Sequence, residues 1–297
     1  MTTMRAESAA PAARTDQLAS VSASRDTASL QLNGGPVGCL MLHGWSGHPG
    51  ELRPMAEYLA SQGLSVSVPQ LPGHGGAPAA LDGVSFRRWV AAVTAAWLEL
   101  RRDHPTSFVV GLSMGGALAL DLAGRRPREV AGVVTMAALT ALPGWWTPLV
   151  LPVGRHVIRW YNPLARVDLN DPKVRERISP MIPLPDTDLT DTQAQQSIRD
   201  AARVPMGSVY QLQLLLRDTR RRLPAVRAPL LVMHGRLDDF ILPRQANIIY
   251  ARAGAQDKQL VLLDHSHHML PLDADHQEVW ERTWRFIHSH AAAEARR

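Results

Sequence analysis

The sequence is short of cysteine, lysine and long apolar runs. Its one cysteine, Cys39, excludes a disulfide within the chain and gives no sign of an oxidising compartment. It lies in the apolar run from Val37 to Leu42 and reads as a small core residue. No stretch reaches the ~18 apolar residues that a membrane-crossing helix needs. Roughly the first thirty residues are rich in Ala, Ser, Thr and Arg and hold no apolar signal core. Glu7, Asp16 and Asp26 interrupt that stretch, so residues 1–32 are expected to be a disordered tail and the chain to be cytoplasmic. Lysine occurs only at positions 173 and 258, so arginine carries the net charge of +5. The arginines are scattered, and the densest run is Arg220-Arg221-Arg222. With no basic helix bearing interleaved aromatics and no nucleic-acid motif, they read as a solvated surface. There is no internal repeat.

What is present suits one globular domain carrying an insertion: 297 residues, 45% hydrophobic and 20% charged. From Pro36 onward, short apolar runs alternate with longer amphipathic stretches. Strands are expected at Val37–Leu42, Leu64–Val68, Ser107–Val110 and Val130–Met136, with helices over 51–62, 85–102 and 115–125. The rhythm breaks between about Thr140 and Arg227, a proline-rich stretch with Trp145, Trp146 and Trp160. It returns with strands at 229–233 and 259–263 and helices over 244–253 and 277–290. Strand–helix alternation implies parallel pairing through helical crossovers, and wholly apolar strands imply a sheet covered on both faces. The expected class is therefore α/β. A mostly parallel, doubly wound sheet is built from residues 33–139 and 228–297, and a small helical cap over 140–227 is inserted before a late strand.

The chemistry centres on Gly111-Leu112-Ser113-Met114-Gly115-Gly116, a G-x-S-x-G motif with a strand before it and a helix after it. Such a tight turn strains the serine backbone, needs glycine where a Cβ would collide, and sets Ser113 at a helix N-terminus. Ser113 is the candidate nucleophile. An acyl-transfer site also needs donors for the developing oxyanion. The backbone N–H of Met114 is one candidate. The N–H of Trp45, in the loop His43-Gly44-Trp45-Ser46-Gly47 after the first long strand, is the other. In that loop His43 reads as a brace and His48 as a residue that faces substrate. His74, in Leu71-Pro72-Gly73-His74-Gly75, reads as fixing a turn at the rim.

Serine needs a base, and the base needs an acid to orient it. Asp238, just past the strand after the insertion, is the candidate acid, with Asp239 the competitor. Three histidines compete for the base: His265, His267 and His268. The pattern Ser266-x-His268 followed by Met269 and Leu270 selects His268. A zinc site on these histidines is the rival reading, but helical His-x-x-x-His spacing and a carboxylate pair are both missing. The insertion's apolar residues, Trp145 and Trp146 foremost, either line an acyl pocket or pack the cap onto the core.

These motifs as an ordered set resemble the bacterial carboxylesterase and monoacylglycerol lipase family of α/β-hydrolases. The resemblance rests on His43–Gly47, Arg53-Pro54-Met55-Ala56, Leu71–Gly75, Gly111–Gly116, Asp238, Ala246–Tyr250 and Ser266-His267-His268 leading to Leu272-Asp273. It spans about residues 35 to 290, the cap only weakly. It implies an α/β-hydrolase fold with a helical cap over the serine. It implies hydrolysis of carboxylic esters through an acyl-enzyme, with no metal or organic cofactor. It implies Ser113, Asp238 and His268 as triad, and Trp45 and Met114 as oxyanion donors. His267 stands where such enzymes often carry a small residue. The expected partners are a small ester or lipid substrate, with transient lipid-surface contact and no nucleic acid. Thioesterase, acyltransferase and carbon–carbon hydrolase readings share the same triad, and a non-catalytic binding protein is the alternative of another class.

Overall fold

The computed structural model describes residues 26–294 except 143, 145, 146, 166, 172, 173 and 175–191. The sheet comprises β1 (Leu30–Leu32), β2 (Val37–Leu42), β3 (Leu64–Val68), β4 (Ser107–Leu112), β5 (Gly132–Met136), β8 (Leu230–Gly235) and β9 (Lys258–Leu263). Its spatial order is β1-β3-β2-β4-β5-β8-β9, with every pairing parallel except that of β1 with β3. Helices α1 (Arg53–Ser61), α2 (Phe86–Asp103), α3 (Met114–Arg125), α7 (Arg244–Arg252) and α8 (His276–Glu294) alternate with these strands. Between β5 and β8 lie α4 (Thr147–Val157), β6 (Trp160–Tyr161), α5 (Thr192–Ala201), β7 (Val204–Pro205) and α6 (Met206–Arg222).

The strands are apolar on both faces because both faces are covered, and the period of two sorts their side chains. Leu40, Leu42, Val109, Val133 and Val232 point into the larger core, with Trp89 and Trp97 of α2, Leu118 of α3, Leu215 of α6 and Ile249 of α7. Cys39, Met41, Val110, Leu112, Val134 and Met233 point the other way, onto Met55 and Leu59 of α1 and Val279 and Ile287 of α8. Truncating either buried indole of α2 to alanine would cost ~3–5 kcal/mol.

Two features depart from what the pattern predicts. Residues 30–32 were expected in the tail but form an edge strand. Leu30 and Leu32 alternate around Gln31, whose amide donates to Ser67 Oγ (2.9 Å), and Leu30 is buried in the smaller core. The rest of the expected tail, residues 1–25, lies outside the described residues. The C-terminal part of the expected cap, α6, lies against α3 as a layer of the core. Leu212, Leu215 and Leu216 are buried in the larger core, Thr219 Oγ1 donates to Ala117 O (3.2 Å), and a Cβ on Gly124 would press on Arg222 Cβ at 2.9 Å. The part before it has a small core of its own around Leu164, Leu169 and Ile198. Among the described residues, no helix is long and apolar enough to cross a membrane.

The strand order places the site. From β2 the chain steps to β3 on one side, while β4 lies on the other. The loops that leave β2 and β4 therefore part at their C-terminal ends and open a crevice at the topological switch point. His43–Gly47 and Ser113 are the residues that leave those two strands.

Candidate active site

Ser113 occupies the turn from β4 into α3 with φ 55° and ψ −116°. That left-handed backbone costs ~1–3 kcal/mol in a non-glycine residue and persists only where the surroundings enforce it. Here Ser113 N–H donates to Met136 O (2.8 Å), pinning the turn to β5. The flanking glycines leave no alternative. A Cβ on Gly111 would enter the backbone of Gly115, and one on Gly115 would enter the carbonyls of Leu42 and His43. The α3 helix therefore starts in contact with the end of β2. Ser113 immediately precedes its first turn, whose leading N–H groups, Met114 first, have no acceptor within the helix.

The loop after β2 comes close to the serine: a Cβ on Gly44 would lie 3.7 Å from Ser113 Cβ. His43 is fully buried with both ring nitrogens engaged, Nδ1 on Gly44 O (2.9 Å) and Nε2 accepting from Leu71 N–H (3.2 Å). Burial, with His74 beside it, holds its imidazole down at about 3. His43 is thus a neutral brace. His74 binds Pro72 O through Nδ1 (3.0 Å) and packs edge-on against both His43 and Trp89; burial holds it down at about 4. The rim loop is tied in by Gly75 N–H on Gly47 O (3.3 Å). Trp45 is half-buried against the larger core, and His48, also half-buried, opens the short 3-10 turn Pro49–Glu51.

The acid and base candidates meet across the loops after β8 and β9. His268 Nδ1 lies 2.8 Å from Asp238 Oδ2, and both residues are buried. The other histidines go elsewhere. His265 Nδ1 faces Asp275 (3.2 Å), and His267 N–H donates to Asp273 Oδ2 (2.7 Å). Asp239 is exposed, whereas Asp238 is 2% exposed. Asp238 is held by more than His268. Its Oδ1 accepts from the N–H groups of Phe240 (3.0 Å) and Ile241 (2.8 Å), and His234 Nε2 lies 3.1 Å from its Oδ2. Burial opposes the charge, but the hydrogen bonds from His234, His268 and Ile241 outweigh it and hold the carboxyl well below the ordinary carboxylate range. Gly235 permits the close approach, since a Cβ there would run into the Ser266 and His267 carbonyls.

Three residues that sequence reasoning did not single out belong to this neighbourhood. His234 lies wholly buried at the end of β8 with Nε2 on Ile241 O (2.6 Å). Phe240 packs edge-on to the His268 ring at 5.3 Å and is half-exposed, so an apolar wall stands beside the candidate base. Glu51 is buried beneath the loop after β2, its carboxyl filling the space that a Cβ on Gly47 would need. Trp145 and Trp146 lie outside the described residues. Of the neighbouring helix α4, Leu149, Val150, Val153 and Val157 are exposed.

This arrangement has known counterparts. Residues 38–275 match the family described as "Serine aminopeptidase, S33". A thermostable monoacylglycerol lipase from Bacillus sp. (strain H-257) is 31% identical over 257 residues, 86% of this chain and 92% of that protein. A carboxylesterase from Bacillus subtilis (strain 168) is 28% identical over 253 residues, covering 84% and 92%. Among solved structures, one reported with the metagenome-derived lipolytic enzymes LipS and LipT superposes with a TM-score of 0.73 at 26% identity, covering 89% of this chain and 98% of that one. The Paleococcus ferrophilus monoacylglycerol lipase superposes with a TM-score of 0.67 at 18% identity, covering 89% and 99%. With its parallel sheet, its strained serine turn and a family match across most of its length, the chain belongs to the α/β-hydrolases of that serine family.

Proposed function

We propose that this protein hydrolyses carboxylic esters through an acyl-enzyme on Ser113, with His268 as base, Asp238 as its orienting acid, and the N–H groups of Trp45 and Met114 as oxyanion donors. The observation that carries the reading is the buried 2.8 Å contact between His268 Nδ1 and Asp238, on the same edge of the sheet as the strained Ser113. Asp238 bound at Nδ1 leaves Nε2 of His268 unprotonated and able to take a proton. His268 removes the Ser113 proton as Oγ attacks the ester carbonyl. The two N–H groups hold the oxyanion, and the alcohol leaves with the proton from His268. Water then attacks the acyl-enzyme by the same route in reverse.

Esters rank above peptides because the relatives that match over more than four-fifths of the chain are named for a lipase and a carboxylesterase. Short- to medium-chain acyl esters, monoacylglycerols included, fit the apolar groups Phe240, Leu237 and Leu242 that stand half-exposed on the Asp238 loop. Cytoplasmic location and transient contact with a lipid surface belong to the same proposal. The test is hydrolysis of p-nitrophenyl esters of increasing acyl length, with aminoacyl p-nitroanilides as the peptidase control. Ser113→Ala is expected to lose turnover by ~10⁴–10⁶-fold, the scale of nucleophile removal in a triad. Anilide cleavage without ester cleavage would overturn the substrate class. A wild type that resists a fluorophosphonate label would favour the non-catalytic alternative.

A further inference from the structure

Glu51 is a buried carboxyl that the mechanism above leaves without a task. It is 6% exposed, in the short turn between the loop after β2 and α1. The backbone N–H groups of Gly44 and His48 lie on the side of that carboxyl and favour its charged form. Gly47 has no side chain where that carboxyl lies, since a Cβ there would be 2.6 Å from its carbon. The same carboxyl is 3.8 Å from the Cβ position of Gly44, which is itself 3.7 Å from Ser113 Cβ. One carboxyl thus sits beneath the Gly44–His48 segment, against Gly47 and close to Gly44, on either side of Trp45.

We propose that Glu51 is a positioning residue for oxyanion stabilisation: its carboxylate fixes the Gly44–His48 loop so that the Trp45 N–H faces the substrate oxygen above Ser113. This rests on the ester-hydrolase reading of the site. A carboxylate presents only acceptors to the N–H groups of the loop, whereas a protonated carboxyl would also turn an O–H toward them, so the ionised form is the active one. Burial raises this carboxyl and the loop N–H groups oppose the rise only in part, leaving it at about 7. The titratable groups of the loop above it and of the rim loop are His43, His48 and His74, all lowered by burial. Arg53 on α1 is occupied by Asp26 (2.6 Å) and Glu57 (3.5 Å).

The test is the Glu51→Gln variant followed in three ways with p-nitrophenyl acetate and by amide exchange. First, kcat is expected to fall about 10- to 100-fold with KM within twofold, less than the ~10²–10³ for loss of a whole oxyanion donor. Second, the acid limb of the wild-type pH–rate profile is expected to be steeper than one ionisation, because Glu51 and His268 must both be unprotonated. In the variant it is expected to reduce to a single ionisation. Third, the Gly44 and His48 amides are expected to exchange at least about tenfold faster in the variant. A variant with wild-type kcat and an unchanged acid limb would overturn the proposal. So would a single ionisation in the wild type itself, a measurement that needs no variant to fold. Should the wild type hydrolyse no ester, the functional reading fails. The positioning of the loop is then still decided by amide exchange, and equal exchange in both proteins would sink it.

Discussion

Two buried carboxylates flank the same crevice, and their surroundings drive them in opposite directions. Asp238 is held well below the ordinary range, while Glu51 is raised to about 7. Burial is the leading influence on both and raises both. The difference lies in what compensates it. Asp238 is bonded by two backbone N–H groups and two imidazoles, His234 and His268, whereas Glu51 feels only the pull of the Gly44 and His48 N–H groups of one loop. Buried charge is tolerated in proportion to its donors, and cationic or strongly polar donors count most. The Asp238 side of the site is thus electrostatically fixed near neutral pH, while the Glu51 side stands close to titrating.

The largest expected departure comes from removing the charge on the fixed side. Asp238→Asn should lower kcat by ~10³–10⁴, because the amide cannot hold His268 in the required tautomer. Steady-state kinetics at pH 8 checks this, and a loss below tenfold would mean that another group orients the base. The Glu51→Gln loss above is expected to be about one to three orders of magnitude smaller. The contrast between the two variants is the sharpest expression of the asymmetry.

His234→Phe comes next. It strips one donor from Asp238 without touching substrate, and should destabilise the fold by ~1–3 kcal/mol near neutral pH. Because the depressed pKa of Asp238 contributes stability above its unfolded value that is lost as pH falls, the variant should also unfold at a higher pH in an acid titration. An unchanged acid midpoint would remove His234 from the account.

The smallest effect concerns stability alone. Glu51 has a raised folded pKa, so its contribution is fully present below the unfolded value of 4.5 and is lost as pH rises through about 7. The wild-type Tm should therefore decline between pH 5 and pH 8 more steeply than that of Glu51→Gln, by an amount corresponding to ~1–3 kcal/mol. Parallel Tm curves would show that Glu51 does not titrate in this window.

The asymmetry also separates what the sequence makes legible from what it hides. The alternation of apolar runs gave the parallel sheet, because each run is buried on both faces. G-x-S-x-G located Ser113 because only a strand-to-helix turn needs both glycines. Asp238 and His268 were reachable because each follows a recognisable strand, and the structure brings that pair together. Glu51 was not reachable. It read as the first residue of a helix, and nothing local says that Gly47 clears space for its carboxyl. His234 read as the end of a strand, and its ties to Asp238 and Ile241 depend on how the next loop folds back. The strand at Leu30–Leu32 is too short and its flank too polar for periodicity to register. The place of α6 in the core was hidden because its helical pattern is the same whether it covers a cap or α3.

The most direct test of the central claim is to trap the acyl-enzyme. The protein is mixed with p-nitrophenyl acetate at acidic pH, quenched within the first turnover, and the peptides are mapped by mass. The account predicts an acetyl adduct on the peptide containing Ser113, absent in Ser113→Ala and accumulating in Asp238→Asn only at a greatly reduced rate. Ester hydrolysis that proceeds equally well in Ser113→Ala, with no adduct on that peptide in the wild type, would contradict it.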